Sequence, residues 1–215
     1  MPLVLRRSGR ARRISLRVSQ LDGRVTLTLP GGVPEAEAIE FARAKEAWIR
    51  KHLSNRPEAT PVDIGAVIPV EGRARMIEAG TVRRICLTED TIVVPPGAVA
   101  RRVQAFLREL ARDRLASACD RHAAALGRRY TRLTLRDTRS RWGSCSAEGR
   151  LMFSWRLILA PPEILDYVAA HEVAHLAEMN HSPAFWELVG QLYGPHKSPR
   201  AWLRREGTTL HGFRF

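Results

Sequence analysis

The segment His171-Glu172-Val173-Ala174-His175 carries the residue types and spacing that point most directly to chemistry. On a helix, residues four apart stack one turn above the other, so His171 and His175 present two imidazoles to one tetrahedral ion with Glu172 beside them. Three neutral imidazoles would leave a zinc ion dipositive with one open position, where water is acidified to a pKa of about 7. Glu172 is then placed to take that water's proton as general base and to return it to the leaving group as acid. The rest of the helix is apolar at Ile164, Leu165, Val168 and Leu176. Two histidines and a glutamate buried there without a metal would need other hydrogen-bonding partners.

Successive turns of one straight helix cannot surround an ion, so a third ligand must come from beyond it. His181 is the candidate, because a chain turning at Asn180, a residue type that tolerates left-handed geometry, swings that imidazole back. His196 is a rival, brought near by Gly194-Pro195, whereas His52, His122 and His211 read as surface or capping residues. The spacing is that of HExxHxxGxxH proteases with Glu178 at the glycine position. Glu178 is either an acceptor for a ligating imidazole or an exposed charge on the last helical turn. A second oxyanion stabiliser stays open among Tyr130, Tyr167, Tyr193, Arg139, Arg141 and a backbone amide. Candidate substrate-binding residues are Arg139, Arg141, Trp142 and Tyr167. The segment Arg141 to Cys145 has two readings. It is a cleft edge along which an extended peptide adds as a strand, or it is structural, with Trp142 packed on the histidine helix, Gly143 permitting the approach and Cys145 a small buried hydrophobe.

These groups need elements to hold them. Pro161-Pro162 opens the histidine helix, and Ser182-Pro183 opens another with Phe185, Trp186, Val189 and Leu192 on its apolar face, stopped at Gly194-Pro195. Upstream, Val99 to Leu126 reads as a long amphipathic helix with Val103, Phe106, Leu107, Leu110 and Leu115 on one side and arginines mostly elsewhere. Tyr130 to Asp137, the run through Arg141 to Cys145, and Arg150 to Trp155 after the Glu148-Gly149 turn predict a small antiparallel sheet. Nearer the start, alternating runs flank Asp22-Gly23 as a hairpin, Pro34 to Leu53 reads as one helix, and Gly65 to Pro95 as further antiparallel strands. The expected class is α+β: a β-rich N-terminal lobe with one helix over residues 1–96, followed by a catalytic lobe over 97–215 that holds the small antiparallel sheet and the HExxH helix.

Composition bounds the function. At 215 residues and 45% hydrophobic, the chain can bury a sizeable core. No stretch approaches the roughly 18 apolar residues that span a bilayer, and the arginine-rich start runs into alternating Ile14 to Val18 rather than an apolar signal core. With three cysteines and no CxxC pair, a reducing, cytoplasmic setting is expected. The formal charge of +13, almost all arginine, would draw polyanions, so a nucleic acid or nucleotide is a possible partner through the basic surface.

Trp48-Ile49, Arg141-Trp142-Gly143-Ser144-Cys145, the histidine segment, Asn180-His181 and Phe185-Trp186 together resemble the YgjP-like zinc metallopeptidases, relatives of the WLM and SprT-type zincins. The resemblance spans nearly the whole chain. It implies a zincin-like catalytic lobe, one zinc ion per chain held by His171, His175 and His181, Glu172 as catalytic acid/base, and a protein or peptide substrate. Two other functions compete. A metal-activated water can also attack phosphorus, and Arg136, Arg139, Arg141 and Arg150, if they converge on the cleft, would suit a nucleoside triphosphate pyrophosphohydrolase. A nucleic-acid-binding module with a purely structural metal is disfavoured, because such a site is usually four-coordinate and has no use for Glu172.

Overall fold

Strands Leu3–Arg7 (β1), Ser15–Val18 (β2) and Val25–Leu29 (β3) form a small sheet with β3 at its centre, parallel to β1 and antiparallel to β2, in a computed structural model that describes residues 3–19, 23–54 and 59–215. Alternation along β3 buries Val25, Leu27 and Leu29. The helix Glu35–Ala44 (α1) lays Ala38 and Ala42 against Leu27 and Leu29. The β2–β3 hairpin is closed by Ser19 N–H donating to the Arg24 carbonyl, while Asp22 of the expected turn lies outside the described residues. The single helix expected over 34–53 is two, α1 and Glu46–Ser54 (α2). They part at Lys45, whose φ of −100° and ψ of 12° leave helical geometry.

The second unit begins with Thr60–Pro61 (β4), then Val67–Val70 (β5), Arg73–Ala79 (β6), Cys86–Leu87 (β7) and Thr91–Val94 (β8). The last four make one sheet in the order β5-β6-β8-β7. It is mixed rather than antiparallel: β6 and β8 run parallel, since the short β7 lies on the far side of β8. Glu71 and Gly72, both at positive φ, turn β5 into β6. A Cβ on Gly72 would stand 2.9 Å from the Pro161 Cα, so the turn needs glycine on two counts.

Ile68, Val70, Ile77, Ile92 and Val94 share one core with Val103, Leu107 and Leu115 of the helix Val99–Leu126 (α3) and with Phe153, Trp155 and Val173. The compact units are therefore 1–58 and 59–215, not the expected 1–96 and 97–215, because the 67–94 strands cannot bury their apolar face apart from α3. Strands Arg132–Arg136 (β9), Gly143–Cys145 (β10) and Arg150–Ser154 (β11) form the third sheet, ordered β10-β11-β9. Only its β10–β11 pair is antiparallel; β9 runs parallel to β11, because the 137–142 connection carries the chain past β11 before β10 forms. Helices Pro162–Ala174 (α4), Pro183–Tyr193 (α5) and Lys197–Glu206 (α6) follow, and Phe213–Arg214 (β12) pairs with β4. Arg156, in the 3-10 turn between β11 and α4, is buried. It reaches Asp137 at 2.7 Å and the carbonyls of Leu210 and Phe213 at 3.1 Å, fastening the chain's end to the end of β9. The class is mixed α+β, with no helix long and apolar enough to cross a membrane among the described residues.

Candidate metal centre

Pro161 caps α4 in extended backbone, with Pro162 at the first helical position, where its missing N–H is no loss. This 13-residue helix carries His171 and Glu172 in its last turn and His175 at its C-cap. The chain then reverses through Leu176 N–H to the Val173 carbonyl and Glu178 N–H to the Ala174 carbonyl. Asn180 is not in the left-handed region; the return is made by these tight turns instead. Ser182 caps α5, its Oγ accepting from Phe185 N–H at 3.3 Å, and this fixes His181 one residue before the cap.

His171, His175 and His181 thereby offer three ring nitrogens all within 4.8 Å of one another. The Nε2 atoms of His171 and His181 stand 3.1 Å apart. Two ligand nitrogens at Zn–N distances of about 2.0–2.1 Å on a tetrahedral ion would stand about 3.3 Å apart. His175 Nδ1–H donates to the Glu178 carbonyl at 2.8 Å, which fixes the tautomer and leaves Nε2 as the lone-pair nitrogen. Glu178 thus contributes its main-chain oxygen, neither the side-chain acceptor nor the mere surface charge that the sequence offered as alternatives. Phe185 stacks on His175 with ring centroids 4.4 Å apart, holding the imidazole from behind.

Electrostatics favour neutral rings. Burial, then the neighbouring His175, His181 and Arg200, push His171 down to about 3. Burial also lowers His175, outweighing the hydrogen bond to Glu178. A donor set of neutral imidazoles is the set that binds zinc. Glu172 is 6% exposed, and burial drives its carboxyl up to about 8 against the opposing pull of Arg141. A cation at the histidines would favour the ionised form.

The β10 edge closes the other side. A cavity of about 480 Å³ is lined by the three histidines, Glu172, Arg141 and Gly143, among others. Gly143 lies directly over Glu172: a Cβ there would be 2.5 Å from Glu172 Cγ. Cys145 also lines this cavity, but burial and Glu172 lift its thiol to about 11, so it is not poised as a nucleophile.

Of the remaining candidates, Arg141 lines the cavity. Tyr167 is buried, its ring 6.0 Å from that of His171, outside the cavity lining. Arg139 is also outside it and acts electrostatically on His211. Trp142 packs on the main core and against Gly207 and His211, whose ring lies 5.2 Å away, while Gly143 brings backbone over Glu172 of α4. His196 is stacked on Trp186 at 5.2 Å and does not join the three nitrogens. His122, read as a surface or capping residue, is buried on Asp166 at 3.0 Å inside α3, and His211 is half-buried at the end of the 3-10 turn Gly207–His211. Sequence reasoning did not single out Ser140, Ser144 or Met179, which also line the cavity. Nor did it see that Phe185, marked only as apolar, stacks on the His175 ring.

A family model described as the YgjP-like metallopeptidase domain matches residues 12–206. No curated protein matches the chain. Among solved structures it is similar to the crystal structure of the metallopeptidase zymogen of Pyrococcus abyssi abylysin, at 18% identity and a TM-score of 0.38, covering 43% of this chain and 92% of that one. The family match takes in all of α4, the β10 edge and His181, and the chain belongs to the YgjP-like family of metallopeptidases.

Proposed function

We propose that the protein is a zinc-dependent metallopeptidase of zincin type, with one zinc ion held by His171, His175 and His181 and with Glu172 as general base and acid. The observation that carries this is the convergence of three lone-pair nitrogens, one with its tautomer fixed by the Glu178 carbonyl, beside a buried carboxylate. When bound, the ion supplies Lewis acidity, which acidifies water and polarises a substrate carbonyl. Glu172 then holds the proton taken from the attacking water on a carboxylate oxygen and passes it to the departing amine nitrogen. Gly143 keeps the β10 edge close enough that no bulk solvent separates this carboxylate from the strand. Among the described residues β10 pairs with β11 alone, which leaves its other edge for an extended peptide to add as a strand through main-chain hydrogen bonds. Arg141, at the cavity wall, supplies positive charge to the substrate backbone. The three free cysteines suit a reducing compartment, and we place the protein in the cytoplasm.

A second reading, nucleoside triphosphate pyrophosphohydrolysis, is favoured by Arg136, Arg141 and Arg150 lining one groove beside the cavity; Arg139 does not join them. Mass spectrometry of a pool of denatured proteins and nucleoside triphosphates, treated with the zinc-loaded chain or Glu172→Gln, decides between them. New peptide termini formed only by the unmutated chain are expected. Nucleoside monophosphate with intact proteins would establish the second reading, and undiminished hydrolysis by a zinc-loaded Glu172→Gln would remove Glu172 from the mechanism.

A further inference from the structure

The sheet β10-β11-β9 turns Leu133, Leu135, Leu151 and Phe153 inward, while the alternate positions face out. Those outward positions carry Arg132, Thr134 and Arg136 on β9, Arg150 and Met152 on β11, and Ser144 on β10. Together with Arg141 they line a groove of about 680 Å³. Ser140, Arg141, Ser144 and Cys145 line both this groove and the metal-site cavity, so the two are continuous.

Three features of the groove point to an anionic ligand. Arg132 and Arg150 are direct partners in the parallel ladder, a like-charge placement that costs stability unless an anion lies between them. No Asp or Glu is among the lining residues, and no hydrogen bond or ion pair joins Arg132, Arg136 or Arg141 to a carboxylate among the described residues, although Arg141 acts at longer range on Glu172 and Arg150 on Glu148. Arg136 lies four residues beyond Arg132 along β9, about 13 Å at strand rise, so the charge is spread along the groove rather than gathered at one point. The lining contains no aromatic side chain on which a nucleobase could stack, and this weighs against a nucleotide or single-stranded nucleic acid. Guanidinium forks match carboxylates bidentately, and the hydroxyls of Thr134 and Ser144 can donate to the same groups.

We propose that this arginine groove is a specificity subsite that takes Asp and Glu side chains flanking the scissile bond, so that the preferred substrates are acidic peptide segments. The inference rests on the metallopeptidase reading above. An extended chain leaving the metal site crosses the shared wall at Arg141 into the groove, where Arg136 stands at the near end of the β11–β9 ladder and the Arg132–Arg150 pair at its far end. Exposed ion pairs are worth a factor of about two to five each, so three of them give a preference of about tenfold or more, mostly in KM, which weakens as salt screens it.

The test uses the zinc-loaded 215-residue chain and three fluorogenic peptides identical except for Glu, Gln or Lys at the flanking positions. The Glu peptide is expected to exceed the Gln peptide in kcat/KM by about tenfold at low salt, with the Lys peptide poorest. In R132Q/R136Q/R150Q the Glu-to-Gln ratio should fall towards one, while a triple Arg→Lys variant keeps part of it. A ratio near one in the unmutated protein, or one that survives the triple Gln variant, overturns the proposal. Binding of the labelled Glu peptide to Glu172→Gln, followed by fluorescence anisotropy, separates the two claims. Groove-dependent binding without any cleavage by the unmutated chain would sink the peptidase reading and leave the groove's acidic preference standing. Tighter, groove-dependent binding of a single-stranded oligonucleotide or a nucleoside triphosphate than of the Glu peptide would overturn it in favour of phosphate.

Discussion

Replacing Gly143 by alanine should disable Glu172 without touching the three histidines. The added Cβ would sit 2.5 Å from Glu172 Cγ, 2.6 Å from Oε1 and 2.8 Å from Cδ. Carbon atoms normally rest at about 3.5–4.0 Å, so strand or carboxylate must move by about 1 Å. Cγ is not the free end of a side chain, and Glu172 is 6% exposed in the last turn of α4, so the displacement cannot be absorbed into solvent. Gly143 has no positive φ, and alanine therefore meets the clash alone, with no backbone strain added. A misplacement of about 1 Å at a catalytic group costs about 100-fold, or about 2.7 kcal/mol of transition-state stabilisation. Overpacking costs about 1–3 kcal/mol of stability, a fall in Tm of about 3–10 °C for a unit of this size. The assay is kcat/KM on a peptide substrate, with zinc content by elemental analysis and a thermal melt on the same sample. Zinc should remain at one per chain. Combined with Glu172→Gln, the alanine should cost little further activity, because both act through one carboxylate. Undiminished turnover by Gly143→Ala would refute the claim that β10 fixes this carboxylate.

His181→Ala should weaken zinc binding by more than the roughly 10–100-fold typical of losing a partner that only orients a ligand, whereas His196→Ala should leave stoichiometry and affinity unchanged; competition against a chromogenic chelator measures both. Chain stability should fall with acid in a window to which His211 contributes beside His171 and His175, since burial, then Arg156, hold it down to about 4. Because that folded value lies below the unfolded one of about 6.5, both states are neutral at pH 7 and the unfolded chain alone gains the proton as pH drops. Stability is therefore lost between about pH 6.5 and 4, and His211→Asn should flatten that slope in urea titrations; parallel slopes would show that the ring is not held neutral. Arg156→Ala should destabilise by about 3 kcal/mol, since it removes both bonds to Asp137 and two carbonyl partners; urea unfolding reads it, and a change under about 1 kcal/mol would mean the buried guanidinium does not fasten the C-terminal segment.

Periodicity and punctuation are local, and what they control was legible in the sequence. Apolar positions at helical spacing and the breakers around them placed α3 over Val99–Leu126, α4 behind Pro161-Pro162 and α5 between Ser182 and Gly194. The i, i+4 spacing of His171 and His175 placed two imidazoles together, because helix geometry alone decides that. Strand direction was not legible. The β6–β8 and β9–β11 pairs are parallel because an intervening strand inserts beside its neighbour, a choice made by the packing of the whole sheet. The same holds for the unit boundary: the 67–94 strands read as β structure, but only their burial against α3 shows whose core they complete. Tertiary contact also separated His181 from His196, seated Trp142 on His211, and chose the Glu178 carbonyl as the partner of His175. The sequence by itself determined which chemical groups the helix would present. The fold decided which of them meet, because distances between residues far apart in the chain depend on how every layer between them packs.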